Sequence, residues 1–338
     1  MAPDSATLAA PPQERTLPLL LERQFLAMGT AVLLSVSIGD ESRRTAAERA
    51  AAEVQQLLIE FGREGWAWGT GALAQFNRAL QRGEVASVPE VLQPLFARAW
   101  EIHRASGDLF EPRIGALVRL WGFDDMARLR SAPPDVAEIE SCMAALRTAP
   151  AYTGGETYGP APGVAWDLGA IGKGYIVDLA LDWLAHRGFD NAVVNAGGNV
   201  AVRGDRGDRS WQIGIRDPRA PAEILAMLEV RDESVVTHGD DQRCFEYRGV
   251  RYAHLLHPRS GMPVQGLRSL TVVHRDGTLA DGGGAALFAA GPDGWLALAR
   301  RLGIEQVLVV MEDGAVLATS ALKTRLREEQ GVVIHSVD

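Results

Sequence analysis

Three tight turns in the second half of the chain, each set between apolar runs, restrict its fold more than any other feature. Asn195-Ala196-Gly197-Gly198-Asn199 separates the runs at 192–194 and 200–203, Arg248-Gly249 separates 245–247 from 250–252, and Asp313-Gly314 separates 307–311 from 315–318. Short Gly- or Asn-bearing turns between strand-like runs are hairpin signals, and hairpins build antiparallel sheet. Trp211, Ile213 and Ile215 alternate, as do Val32, Leu34, Val36 and Ile38, and that period of two fits half-buried strands. Helices are interspersed without a regular βαβ rhythm. Val54, Leu57, Leu58 and Phe61 recur at helical spacing, the run 89–104 predicts a helix stopped at Gly107, the segment 131–162 holds a helix between loops, and further helices are expected after Asp167, Asp281 and Asp293. No G-x-G-x-x-G follows an early strand, which argues against a doubly wound nucleotide-binding domain. The expected class is α+β, with mixed or antiparallel sheets and packed helices.

At 338 residues the chain calls for two domains or one large interlocked unit. Residues 1–22, rich in Pro, Ala and Ser and without a sustained period, are expected to form a flexible arm ahead of a domain over 23–338. A formal charge of -9 argues against a nucleic-acid binder that relies on a basic surface. Any phosphate bound here is held locally. Cys142 and Cys244 stand far apart, so neither a disulfide framework nor a thiolate metal site is implied. The first apolar run, 17–21, is interrupted by Pro18 and lacks a basic lead, and no later stretch has the length of a membrane span. The expected location is cytoplasmic.

Three segments carry possible chemistry. Asp167-Leu168-Gly169-Ala170-Ile171-Gly172-Lys173-Gly174 precedes an apolar helical run. Helix-start amides together with Lys173 form a natural phosphate cradle, while a glycine-rich helix entry with a solvated lysine fits the same letters. In Tyr252-Ala253-His254-Leu255-Leu256-His257-Pro258-Arg259-Ser260-Gly261-Met262-Pro263 two histidines lie three residues apart. Either is a general base at neutral pH or a surface imidazole bonded to backbone. No third His or Cys nearby favours zinc. Asp281, within Ala280-Asp281-Gly282-Gly283-Gly284-Ala285, is most simply an N-cap, and its carboxylate also suits Mg²⁺.

Taken in order, these segments resemble the FAD:protein FMN transferase (ApbE-type) family. The likeness runs through Phe25-Leu26-Ala27-Met28-Gly29-Thr30, then Gly107-Asp108-Leu109-Phe110-Glu111-Pro112 with Leu120-Trp121-Gly122-Phe123, then 167–174, 193–199, 237–240, 254–263 and Ala280-Asp281. Any one of these motifs is weak, whereas seven in sequence are specific. The resemblance implies a T-fold-like α+β core with FAD in a cleft between its halves and Mg²⁺ beside the pyrophosphate. The reaction it implies cleaves FAD, releases AMP and leaves FMN on an exposed Thr or Ser of an acceptor flavoprotein. By the same resemblance Met28, Leu109, Phe110 and Glu111 line the flavin-nucleotide site, and Asp167 and Lys173 hold the cofactor near its phosphates. The Ala170 carbonyl and the Asp281 carboxylate are implied metal ligands, His254 accepts the proton of the incoming hydroxyl, and Leu255 and Leu256 flank the cofactor.

Three positions depart from the family pattern. Ala285 stands where the family has a Thr four residues beyond the metal-binding Asp, removing one expected oxygen ligand. His238 replaces the Ser of a Thr-Ser-Gly, and His257 replaces an Asp. Both bring imidazoles towards the expected site. A non-catalytic FAD-binding or carrier protein, and an FAD pyrophosphatase giving FMN and AMP, are the alternatives these departures keep open.

Overall fold

The computed structural model describes residues 19–240 and 243–338. Its first hairpin pairs β1 (Leu20–Ala27) with β2 (Thr30–Ser37) through Met28-Gly29. Both turn residues have left-handed backbones, φ 53° and 72°, as a two-residue turn needs if it is to match the twist of its strands. α1 (Arg44–Glu64), α2 (Ala72–Gln81), β3 (Ala86–Ser87), α3 (Gln93–Ala105), α4 (Gly115–Leu120), α5 (Val136–Thr148), β4 (Thr157–Tyr158) and α6 (Gly172–His186) follow. The second half is mostly strand: β5 (Ala192–Ala196), β6 (Asn199–Arg203), β7 (Trp211–Asp217), β8 (Ala220–Val230), β9 (Glu233–Gly239), β10 (Cys244–Tyr247), β11 (Val250–Ala253) and β12 (Leu267–His274). α7 (Gly277–Leu302), β13 (Gln306–Met311), β14 (Val316–Thr319), α8 (Ser320–Lys323), β15 (Leu326–Glu328) and β16 (Ile334–Val337) complete it. No described helix is long and apolar enough to cross a membrane.

Nine strands form one sheet in the order β1-β2-β5-β6-β9-β12-β13-β14-β16. Its neighbours are antiparallel except for the parallel pair of β14 and β16. The α+β expectation holds, and all three expected hairpins are present as β5–β6, β10–β11 and β13–β14.

Both faces of this sheet are covered. Along β13, Val307 and Val309 join the core under α3 and α7, while Leu308 and Val310 face the opposite core, built with the three-stranded sheet β15-β8-β7. Ala192 and Val194 of β5 face α1 and α6, and Val193 faces the second sheet. Strands buried on both sides read as continuous apolar runs. That is why β9 and β12, central and covered twice, show no alternation and escape a reading based on period two.

Three expectations need correction. Of the arm expected over 1–22, residues 1–18 lie outside the described residues, and Leu20, Leu21 and Glu22 already pair with Ser37, Val36 and Ser35 in the sheet. α7 starts at Gly277 under Asp276, whose Oδ1 accepts the Leu279 amide at 2.9 Å. Asp281 therefore sits in the second turn and does not cap its own helix. The helices expected after Asp281 and Asp293 are two halves of α7, broken at Gly291 (φ 71°) with Pro292 opening the second half, a position where its missing N–H costs nothing.

Candidate active site

The site is organised by the crossing of α6 and α7. A Cβ on Gly174 would lie 2.1 Å from the Gly277 carbonyl oxygen and 2.7 Å from Asp281 Cβ, so the helices touch backbone to backbone and only glycine fits. At this crossing Asp281, 1% exposed, accepts the Gly174 amide through Oδ2 at 2.8 Å. Gly174 is the third residue of α6, whose own N-cap position, Ile171, has no side chain able to cap it. Asp281 thus does cap a helix, but the neighbouring one, supplying an acceptor to an amide with no partner inside its own helix.

That bond narrows the phosphate cradle expected at the start of α6. The Gly172 amide donates to the Leu168 carbonyl at 2.7 Å and the Gly174 amide to Asp281, so those two donors are already engaged. Lys173 lies between them, half-buried and in no ion pair among the described residues. Burial holds the imidazoles of both His238 and His254 below the ordinary histidine range, and the Lys173 charge adds to it. Asp167 is half-buried; loss of solvent pushes its carboxyl up, and Oδ1 accepts the Gly169 amide at 2.9 Å. Ile171, one residue after Ala170, lies where a Cβ on Gly282 would meet its side chain at 3.2 Å. The Ala170 segment is thereby laid against the α7 turn that carries Asp281.

His254 follows β11 and is tied to the preceding hairpin strand by its amide, which donates to the Arg243 carbonyl at 2.9 Å. Burial, then the charges of Arg243 and Lys173 and the nearby His238, push its imidazole down to about 3, and Nδ1 is buried without a hydrogen-bond partner. The ring is neutral at physiological pH and has a lone pair to offer. Leu255 packs on the main core and Leu256 in a smaller cluster with Trp121, Phe123 and Phe245. Trp121 Nε1 donates to the Gly261 carbonyl at 2.9 Å, so the tryptophan of the 120–123 motif braces the histidine turn.

His257 does not reach towards the site. Its Nδ1 accepts the amides of Arg259 at 3.2 Å and Ser260 at 3.3 Å. An imidazole here does the work of a turn-capping carboxylate, and burial with the Arg259 charge keeps it below its usual pKa. The expectation of a second imidazole near the site holds for His238 alone.

The 107–113 segment is locked from within. Glu111 is buried and paired with Arg113 through Nε at 2.8 Å and a second nitrogen at 2.8 Å. Phe110 is buried, with its carbonyl 2.9 Å from His103 Nδ1. Leu109 is half-buried against the same core. Glu111 therefore holds a loop, and Arg259 ties that loop to the histidine turn by donating to the Gly107 carbonyl at 2.8 Å. Met28 joins the ensemble from the β1–β2 turn, 3.0 Å from where a Cβ of Gly62 on α1 would be. Phe61 beside it lies 3.3 Å from the corresponding position of Gly172. The structure brings Lys173 and Asp281 together at the start of α6 with Ala170 just before it, His254 within reach of the Lys173 charge and Met28 against Gly62 of α1, while Glu111 and Phe110 are buried. Arg243, Arg113 and Arg259 escaped the sequence reading; Glu111-Pro112-Arg113 carried the only local hint, two opposite charges one residue apart.

A model of the ApbE family matches residues 28–308. Among curated proteins, the FAD:protein FMN transferase of Rhodobacter capsulatus is 33% identical over 275 residues, 80% of this chain and 52% of that protein. The chain thus spans about half the length of that relative. The FAD:protein FMN transferase of Klebsiella pneumoniae (strain 342) is 32% identical over 301 residues, 86% of this chain and 90% of that protein. Among solved structures, the ApbE protein of Thermotoga maritima superposes with a TM-score of 0.81 at 29% identity, covering 92% of this chain and all of that one.

Proposed function

This chain belongs to the ApbE family, and on that premise we propose that it is an FAD:protein FMN transferase, cleaving FAD and placing FMN on a Thr or Ser hydroxyl of an acceptor flavoprotein. The observation that carries the reading is a buried carboxylate beside the lysine at the start of the neighbouring helix, Asp281 and Lys173, with the neutral imidazole of His254 close enough to feel the Lys173 charge. Asp281 Oδ2 is fixed by Gly174, and among the described residues no hydrogen bond reaches Oδ1. Together with the Ala170 carbonyl it offers the oxygens that would hold Mg²⁺, a cation that ordinarily completes its shell with waters. Among the described residues no three His, Cys, Asp or Glu side chains gather there and Ala285 contributes no oxygen, so a buried carboxylate with waters and backbone carbonyls is the donor set, one that suits an oxygen-seeking cation. Bound there, the cation supplies charge neutralisation beside the pyrophosphate.

The chain's own residues account for the rest. Lys173 brings positive charge to the phosphates and stabilises the negative charge that grows on the departing AMP oxygen. Buried Asp281 fixes the first turn of α6 through the Gly174 amide, so the lysine next to it is held in place and not free to wander. His254 takes the proton from the acceptor hydroxyl as its oxygen bonds to the FMN phosphorus and the bond from that phosphorus to the AMP oxygen breaks. The low basicity of His254 belongs to the site without an anion. Burial is the main cause and Arg243 and Lys173 add to it, so a pyrophosphate that neutralises these cations removes their share of the shift and raises the imidazole from that low value.

The test is to incubate the full chain with FAD, Mg²⁺ and a Thr-bearing acceptor domain, then to weigh the acceptor intact and analyse the released nucleotides. An FMN-sized gain in mass with stoichiometric AMP is expected. Free FMN and AMP with an unmodified acceptor would replace the transferase by a pyrophosphatase, and FAD recovered intact with two different acceptors would replace it by a carrier.

A further inference from the structure

His238, on β9, faces α7 across the sheet. Its side chain is 9% exposed, and Nε2 is buried without a hydrogen-bond partner. A buried nitrogen left unpaired is destabilising, so it invites a partner from outside the chain. Asp281 Oδ1 lies 3.8 Å away. That gap is too long for a hydrogen bond, but a cation about 2.1 Å from each atom spans it at an angle of roughly 130°. Room for the ring comes from Gly284, where a Cβ would stand 2.7 Å from Nε2. Ala285, four residues on from Asp281, withholds a side-chain oxygen. One donor is absent from α7, and another enters from β9.

We propose that His238 Nε2 is a ligand of the divalent cation held by Asp281, so that this chain takes imidazole-tolerant ions such as Mn²⁺ or Co²⁺ more tightly than Mg²⁺. The inference rests on the reading of Asp281 as a metal carboxylate. Mg²⁺ is satisfied by oxygen alone, whereas a nitrogen ligand moves preference along the first-row series. Lys173 lies close enough to act on the His238 ring and opposes any dication there, Mg²⁺ and Mn²⁺ alike, so the preference comes from the nitrogen ligand. The competing arrangement is a ring N–H resting against the α7 carbonyls of Ala280 and Asp281, which also face His238.

The experiment uses the full chain stripped of metal and titrated with MnCl₂ alone, bound ion being counted by EPR and its ligands read by pulsed EPR. The expected result is one saturable site with a directly bonded ¹⁴N coupling that changes to ¹⁵N when histidine is ¹⁵N-labelled. In His238→Ser the coupling disappears and Mn²⁺ binds about tenfold more weakly, while the weak Mg²⁺ affinity stays within about threefold. In His254→Ala the coupling remains. Saturable Mn²⁺ without nitrogen coupling, or coupling that survives in a folded His238→Ser, overturns the His238 assignment and leaves Asp281 as a ligand. Mn²⁺ binding that is unchanged in Asp281→Ala, or no saturable binding by the wild-type chain, overturns the metal reading itself. The labelling result on the wild-type chain shows that a histidine is bonded to the ion, and a second substitution, His238→Asn, decides which one where His238→Ser fails to fold.

Discussion

At the scale of single residues the site divides into groups that react and groups that hold. His254 has an unpartnered nitrogen and a ring kept neutral by burial and nearby cations, the state a proton acceptor must start from. His254→Ala is expected to bind FAD within about threefold of wild type and to lose transfer by at least about a hundredfold, read by flavin fluorescence and by acceptor mass; normal transfer would remove the imidazole from the reaction. Glu111 is the contrary case. Its carboxylate is spent on the buried Arg113 guanidinium, and removing one member of a buried pair leaves the other charged and unpaired, at about 3–5 kcal/mol. Glu111→Ala should therefore lower the unfolding free energy by about that amount in a denaturant titration. Full stability with lost activity would instead return Glu111 to the nucleotide site.

At the scale of elements the crossing of α6 and α7 is the device on which the rest depends. Gly174→Ala drives a methyl into the Gly277 carbonyl and against Asp281, so α6 must move away and the amide bond to Asp281 is lost. A loss of about 2–4 kcal/mol in stability is expected, with Mn²⁺ affinity falling alongside it. Unchanged melting would mean that the helices do not touch there. A second bond secures the same junction: Asp178 on α6 accepts the Gly277 amide at 2.8 Å and the Ser234 hydroxyl at 3.2 Å. Burial raises this carboxyl to about 7. A folded-state pKa above the unfolded one means the fold is penalised as pH climbs from about 4 to about 7 and remains so above. Asp178→Asn keeps an acceptor for Gly277 and removes that penalty. It should stabilise the chain more at pH ~8 than at pH ~5, and denaturation at the two pH values checks the order.

At the scale of the whole molecule, what the letters revealed and what they hid follow from the same sheet. Hairpin turns such as Gly197-Gly198 and Arg248-Gly249 are local chemistry and were legible; β9 and β12, covered on both faces, were not, because burial on two sides erases the alternation that marks a strand. Asp281 was legible as a capping carboxylate, but the helix it caps arrives from 107 residues earlier in the chain, a separation no spacing rule reaches. The orphaned nitrogen of His238 exists only once β9 and α7 are packed. Packing also sets the acid response. His254, with a folded pKa near 3 against about 6.5 unfolded, adds stability in full above about pH 6.5 and surrenders it as pH falls towards 3, about 1.4 kcal/mol being lost between pH ~7.5 and ~5.5. His257, also held low, adds to the loss. Asp178 works in the opposite sense over the same interval, since its penalty shrinks as it regains a proton, so the two effects offset and the wild-type chain should show a shallow dependence. In Asp178→Asn the imidazole contribution is opposed, among the described carboxyls, only by the raised one of Asp167. That variant should lose unfolding free energy steadily from pH ~7.5 to pH ~5.5 while wild type loses less. Denaturation curves that run parallel for the two proteins across this range would show that Asp178 is not the group masking the histidines.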